Sequence, residues 1–128
     1  MKHDTLSDVL TAIKNAERNG FKECVVSGSK IVKEILKIMQ KHTYIGSFEF
    51  IDDGKSGQFK VELLGRINDC GSIRPRSYIT KDDFIRWEKR FLPSVNVGIL
   101  FVTTPNGIMD HRNAKKEGLG GALLGFIY

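Results

Sequence analysis

Two hydroxyls, Thr103 and Thr104, stand just before a Pro105-Asn106-Gly107 turn, and the basic residues Arg112, Lys115 and Lys116 follow closely. A glycine pair, Gly120-Gly121, comes next. Hydroxyls, bare backbone and basic side chains in one stretch suit folded RNA. They can contact phosphate oxygens, 2′-hydroxyls and base edges of a shallow groove. Each feature alone has an ordinary use. Threonines at a strand end satisfy β-propensity. A glycine pair makes a turn. Lysines at a helix end complement its dipole. Their joint occurrence is what points to nucleic acid.

Catalytic and metal chemistry find no comparable pattern. Gly54-Lys55-Ser56 is similar to the end of a P-loop, but that loop needs Gly where Glu49 stands and a helix where a strand is expected. His3, His42 and His111 share no motif with a cysteine or with each other. Cys24 falls inside an apolar strand, a core position. Cys70 falls in a polar loop with basic neighbours, where the simpler reading is a plain loop cysteine. Asp52-Asp53 is a turn signal before it is a metal or acid–base pair. An enzyme acting on RNA would need a constellation that these residues do not build. No catalytic residue, metal, cofactor or small-molecule substrate is expected.

The 128-residue chain suits one ordinary domain or two small ones. Its composition, 41% hydrophobic and 27% charged, is globular. No apolar run reaches the ~18 residues of a membrane span, so no membrane partner is expected. The opening Met1-Lys2-His3-Asp4 has no apolar signal core, which argues against secretion. Two cysteines show neither a disulfide framework nor zinc spacing, and a reduced thiol pair fits best. The net charge of +5 is mild but unevenly placed. Residues 1–65 carry 10 basic and 9 acidic side chains, and residues 66–128 carry 10 and 6. Arg18 is alone in the first half, against six arginines in the second. A planar guanidinium bonds two acceptors of a phosphate or guanine at once. The second half is therefore the better polyanion surface.

These groups need elements to position them. Leu6, Val9, Leu10, Ile13 and Ala16 share one helical stripe over residues 6–17, which Asp4 or Thr5 can cap and Gly20 ends. Glu23 to Ser27 reads as a strand, and Ser29 caps a helix over Lys30 to Lys41. Tyr44 to Ile51 and Phe59 to Leu63 flank a turn as a β-hairpin. Residues 1–65 thus read as an N-terminal α-β-α-β-β module. Residues 66–128 read as a mainly β module with a short helix, and the class is α+β. In that half Gly65 to Arg76, with Arg74 and Arg76, is a basic linker or a strand with loops. Lys81 to Phe91 interleaves charge with Phe84, Trp87 and Phe91 as a short helix or an extended arm. Gly98 to Thr103 predicts a strand buried on both faces. Asp110 caps a helix over His111 to Glu117, Gly118 stops it, and Ala122 to Tyr128 closes the chain as a strand. The segment Phe84 to Phe91 also supports another class of function, a module that docks a neighbouring protein.

The contiguous stretches are distinctive. Val102-Thr103-Thr104-Pro105-Asn106-Gly107-Ile108-Met109-Asp110-His111, Ala114-Lys115-Lys116, Leu119-Gly120-Gly121 and the closing strand resemble the small-subunit ribosomal protein eight (S-eight) family. Similar stretches at Leu6 to Arg18, Lys37 to Ile51, Gly65 to Asn68 and Leu92 to Ser94 extend the resemblance over nearly the whole chain. Tyr44-Ile45-Gly46, Met109-Asp110-His111 and an insertion from Ile79 to Phe91 look like the archaeal–eukaryotic branch and lean to its cytosolic eukaryotic form. The resemblance implies a two-domain α+β structural protein of the cytoplasmic ribosome, without catalysis. It implies a primary binder of the central domain of small-subunit rRNA, beside neighbouring small-subunit proteins. The C-terminal module would read a stem with an irregular internal loop through Thr103, Thr104, Asn106, Gly107, Lys115, Lys116, Gly120 and Gly121. Lys14 and Asn15 and the Ser29-Lys30 turn would also face RNA. Arg112, Arg74 and Arg76 join them as phosphate contacts by their charge. Two positions depart from the family pattern. Pro105 replaces a third hydroxyl, and Ala122 replaces a residue that is often charged.

Overall fold

Short amphipathic segments with local caps build the first part of the chain. The computed structural model describes residues 5–52, 54, 57–73, 78–80, 82–94 and 97–128. It divides into two compact units, Met1–Asn68 and Asp69–Tyr128. In the first unit, α1 (Thr5–Arg18) buries Leu6, Val9, Leu10, Ile13 and Ala16, the stripe that its periodicity requires. Thr5 lies within this helix and Asp4 lies outside the described residues, so neither is seen as its cap. The strand β1 (Glu23–Ser27) leads to α2 (Lys30–Lys41). Ser29 caps α2, its Oγ accepting from the Val32 N–H at 3.2 Å. The hairpin of β2 (Ile45–Ile51) and β3 (Gln58–Leu63) completes an antiparallel sheet of order β1-β3-β2. The strand β3 begins at Gln58, four positions after Gly54, while Lys55 and Ser56 lie outside the described residues.

The second unit is a five-stranded antiparallel sheet with two helices. It consists of β4 (Cys70–Ser72), β5 (Tyr78–Ile79), α3 (Phe84–Phe91), β6 (Ile99–Thr104), β7 (Gly107–Asp110), α4 (His111–Glu117) and β8 (Gly121–Ile127). The main order is β4-β8-β6-β7, with β5 also pairing β8. The core gathers Ile73, Ile79, Phe84, Leu92, Leu100, Val102, Met109, Ala114 and Leu123. Asp110 caps α4, accepting from the Asn113 N–H at 2.7 Å, and Gly118 ends it at φ +71°. No helix among the described residues is long and apolar enough to cross a membrane.

Three local readings are corrected. Residues 107–110 continue from their turn as β7, because they pair with Phe101 to Thr104 of β6. Cys70 is not a loop residue. It pairs with Ile127 in β4 and is 2% exposed. Cys24 is only half-buried, because β1 is an edge strand that buries Val26 alone. Within that segment Phe84–Phe91 form a helix rather than an arm, and Lys81 lies outside the described residues. Neither cysteine is in a disulfide, and burial pushes the Cys24 thiol up. A thiol reagent at neutral pH is therefore expected to label Cys24 slowly and Cys70 only on unfolding. Mass mapping before and after urea checks this, and prompt labelling of Cys70 would contradict its placement.

Candidate nucleic-acid interface

The hairpin of β6 and β7 sets out the first group of residues. Thr103 pairs with Ile108, and Thr104 with Gly107. The Thr104 hydroxyl donates to the Gly107 carbonyl at 2.8 Å and accepts from the Asn106 N–H at 3.2 Å. Its proton is committed to the turn. Thr104 is accordingly buried, while Asn106 and Gly107 are exposed. Gly107 sits at φ +110°, where a side chain would be strained, and has open space around it. Thr103 is half-buried, and among the described residues no hydrogen bond engages its hydroxyl. Pro105 stands exposed in the turn, and Ala122 is buried opposite Thr103 on β8.

The glycine pair has an internal reason. A Cβ on Gly121 would stand 2.1 Å from the Thr103 carbonyl oxygen, and one on Gly120 would stand 2.4 Å from that of Ile79. Both positions are needed for β8 to approach its neighbours, before any partner is considered. They also bring the end of the α4 loop back to the Thr103 end of the sheet, since Ala122 pairs with Thr103.

α4 does not deliver its basic residues to one place. Arg112 Nη2 donates to the Gly98 carbonyl at 3.2 Å. Gly98 lies five residues before Thr103 along the strand direction, about 17 Å away at the usual rise. The turn and the Arg112 guanidinium therefore stand at opposite ends of β6. Lys115 turns onto Glu88 of α3. Lys116 is exposed, and among the described residues no ion pair engages it.

Glu88 is the residue that reading the sequence missed. It is 3% exposed, and its Oε1 lies 3.1 Å from His111 Nε2 as well as against Lys115 Nζ. Its signal was present. Glu88 falls among Phe84, Trp87, Phe91 and Leu92, on the apolar stripe of α3, where a carboxylate needs a partner. His111 accepts from the Leu100 N–H through Nδ1 at 3.0 Å. Its neutral form therefore carries its proton on Nε2, which lies near Glu88 Oε1 without making a hydrogen bond to it. Desolvation lowers the His111 pKa to about 4. The positive charges of Lys115 and Arg112 act the same way, while Glu88 and Asp110 oppose them. A second proton would also abolish the acceptor that Leu100 uses.

The other candidates are spread further. Lys14 is half-buried and Asn15 exposed on α1, while Ser29 and Lys30 open α2, all within the first unit. Arg74 and Arg76 lie outside the described residues. Among the described residues no group of three or more potential ligands could hold a metal ion.

The scaffold is an antiparallel α+β fold with polar groups on its turns and helix faces. The family described as Ribosomal protein S8 matches residues 4–128 of the chain. The chain is also 48% identical over 126 residues to the small ribosomal subunit protein uS8 of the archaeon Methanococcoides burtonii, covering 98% of this chain and 97% of that protein. The chain belongs to the ribosomal protein S8 family.

Proposed function

We propose that the chain is a structural constituent of the small subunit of the cytoplasmic ribosome and binds the central domain of its rRNA, next to neighbouring small-subunit proteins. Family membership supports the ribosomal role, and the family is not one of enzymes. The observation that carries RNA recognition is the end of the β6–β7 hairpin. There an uncommitted Thr103 hydroxyl adjoins the exposed Asn106 and Gly107, and the pairing of Ala122 with Thr103 brings the start of β8 beside them. Such a surface fits the shape of an irregular stem, and phosphate contacts orient it. Lys116 supplies one of those contacts, and Arg112 supplies another at the end of β6 away from the turn. Lys14, Asn15, Lys30 and the Ser29 turn add contacts from the first unit, and Arg74 and Arg76 add charge.

The two threonines have separable roles. Thr103→Val keeps shape and removes the free hydroxyl. It is expected to weaken binding to the cognate stem by about 1–3 kcal/mol while leaving the unfolding midpoint in place. Thr104→Val breaks both turn hydrogen bonds and is expected to lower stability by about 1 kcal/mol. Isothermal titration and urea unfolding on the same samples check the split. Equal binding by Thr103→Val and the unaltered chain would remove Thr103 from the interface.

Salt dependence tests the phosphate contacts. With about 4–6 phosphates neutralised, log K against log salt should fall with a slope of roughly −3 to −5. Lys116→Ala is expected to make that slope shallower by about one unit. Lys115→Ala should change it less, because Glu88 already balances that charge. An unchanged slope for Lys116→Ala would deny it a phosphate.

A further inference from the structure

The outer face of α3 is basic with no acid to balance it. Arg86, Lys89 and Arg90 are exposed, while Glu88, the only acid within the helix, is turned inward onto Lys115 and His111. Asp82 and Asp83 precede the helix, where they complement its dipole. The Asp83 carboxylate accepts from the Thr80 hydroxyl at 3.1 Å. Among the described residues no ion pair engages Arg86, Lys89 or Arg90.

The arginines are held on aromatic rings. The Arg90 guanidinium lies 5.2 Å from the centroid of Trp87 and 5.5 Å from that of Phe91, and Arg86 lies 5.9 Å from Trp87. These rings belong to a stacked ladder, Trp87–Phe91–Phe126–Tyr128, with centroid spacings of 5.9, 5.6 and 6.1 Å. A guanidinium seated on a ring face keeps its N–H edge available for a bidentate acceptor. Its prior ordering reduces the entropy lost on binding. A protein-docking face would instead present an apolar centre. Here the aromatic faces stack on one another, and Ile85 is the exposed large apolar side chain of the helix.

We propose that this face of α3 is a second phosphate-backbone contact, which grips the central-domain RNA separately from the β6–β7 turn. The proposal rests on the function given above and extends it to an element that the turn does not need. The test uses the full chain with Lys89→Glu and Arg90→Glu together, titrated over several salt concentrations against a transcript of the rRNA central domain. Each lost phosphate contact reduces the slope by about 0.9, so the variant's slope should be shallower by about two units. Its preference for the irregular stem over a perfect duplex should persist. Lys89→Gln alone, at an exposed site, guards against misfolding and should reduce the slope by about one unit. An unchanged slope in both variants overturns the proposal. So does an unchanged slope with loss of binding to a neighbouring small-subunit protein, which would make α3 a protein contact. Absence of stem preference in the unaltered chain would instead count against the function proposed above.

Discussion

Stability is expected to fall by roughly a few kcal/mol as the pH drops from 7 toward 4, with His111 the leading cause. Its pKa is lowered from 6.5 to about 4 by desolvation first, then by Lys115 and Arg112. The unfolded chain therefore binds more protons than the folded chain between those values. Stability must rise with pH across that window and be lost as pH falls through it. His111→Asn can keep an acceptor near Leu100 while removing the titration. Urea unfolding at pH 7, 5.5 and 4.5 should show a steep decline for the unaltered chain and a flatter one for the variant. Parallel declines would mean that His111 is not the group responsible.

Glu88→Ala is expected to destabilise the chain by about 2–3 kcal/mol. Breaking a fully buried ion pair costs about 3–5 kcal/mol, because the surviving charge stays out of water. Lys115 is 34% exposed and can turn outward, so the cost here is smaller. The cavity between α3 and α4 and the loss of the carboxylate facing His111 make up the rest. Glu88→Gln keeps the volume and should cost less. It also frees the Lys115 charge, so the salt slope for RNA should steepen by up to one unit. Equilibrium unfolding and salt titration read the two effects. No loss of stability in Glu88→Ala would show that α3 and α4 do not depend on this carboxylate.

Features fixed by near neighbours in the chain were legible in the sequence. The stripes of α1 and α2, the Ser29 and Asp110 caps and the Gly118 stop each depend on residues within one or two turns. The family was legible because its signature is contiguous from Val102 to Gly121. Features fixed by distant pairing were not. β7 has turn-like composition and becomes a strand only against β6. Cys70 looks like a loop residue until Ile127 pairs with it. Cys24 looks like core until β1 is placed at the edge of its sheet. At the interface, the spacing of Thr104 and Asn106 already permits a hydroxyl to bond the backbone two residues on, which is what it does. The basic residues of α4 appear as one patch in sequence, yet Arg112 bonds the Gly98 carbonyl, Lys115 turns onto Glu88 and Lys116 stands exposed. The partner of Lys115 could not be read locally, because Glu88 comes from another helix.

The proposed function depends on recognition of an irregular RNA stem by shape. The most direct measurement is a binding titration at about 0.15 M salt, with a fixed salt because affinity otherwise has no meaning here. One RNA is a central-domain stem with its internal loop, and the other is a perfect duplex of equal length. Tighter binding to the irregular stem by about 4 kcal/mol or more is the expected result. Equal, weak binding to both RNAs would contradict the account and leave only a basic surface.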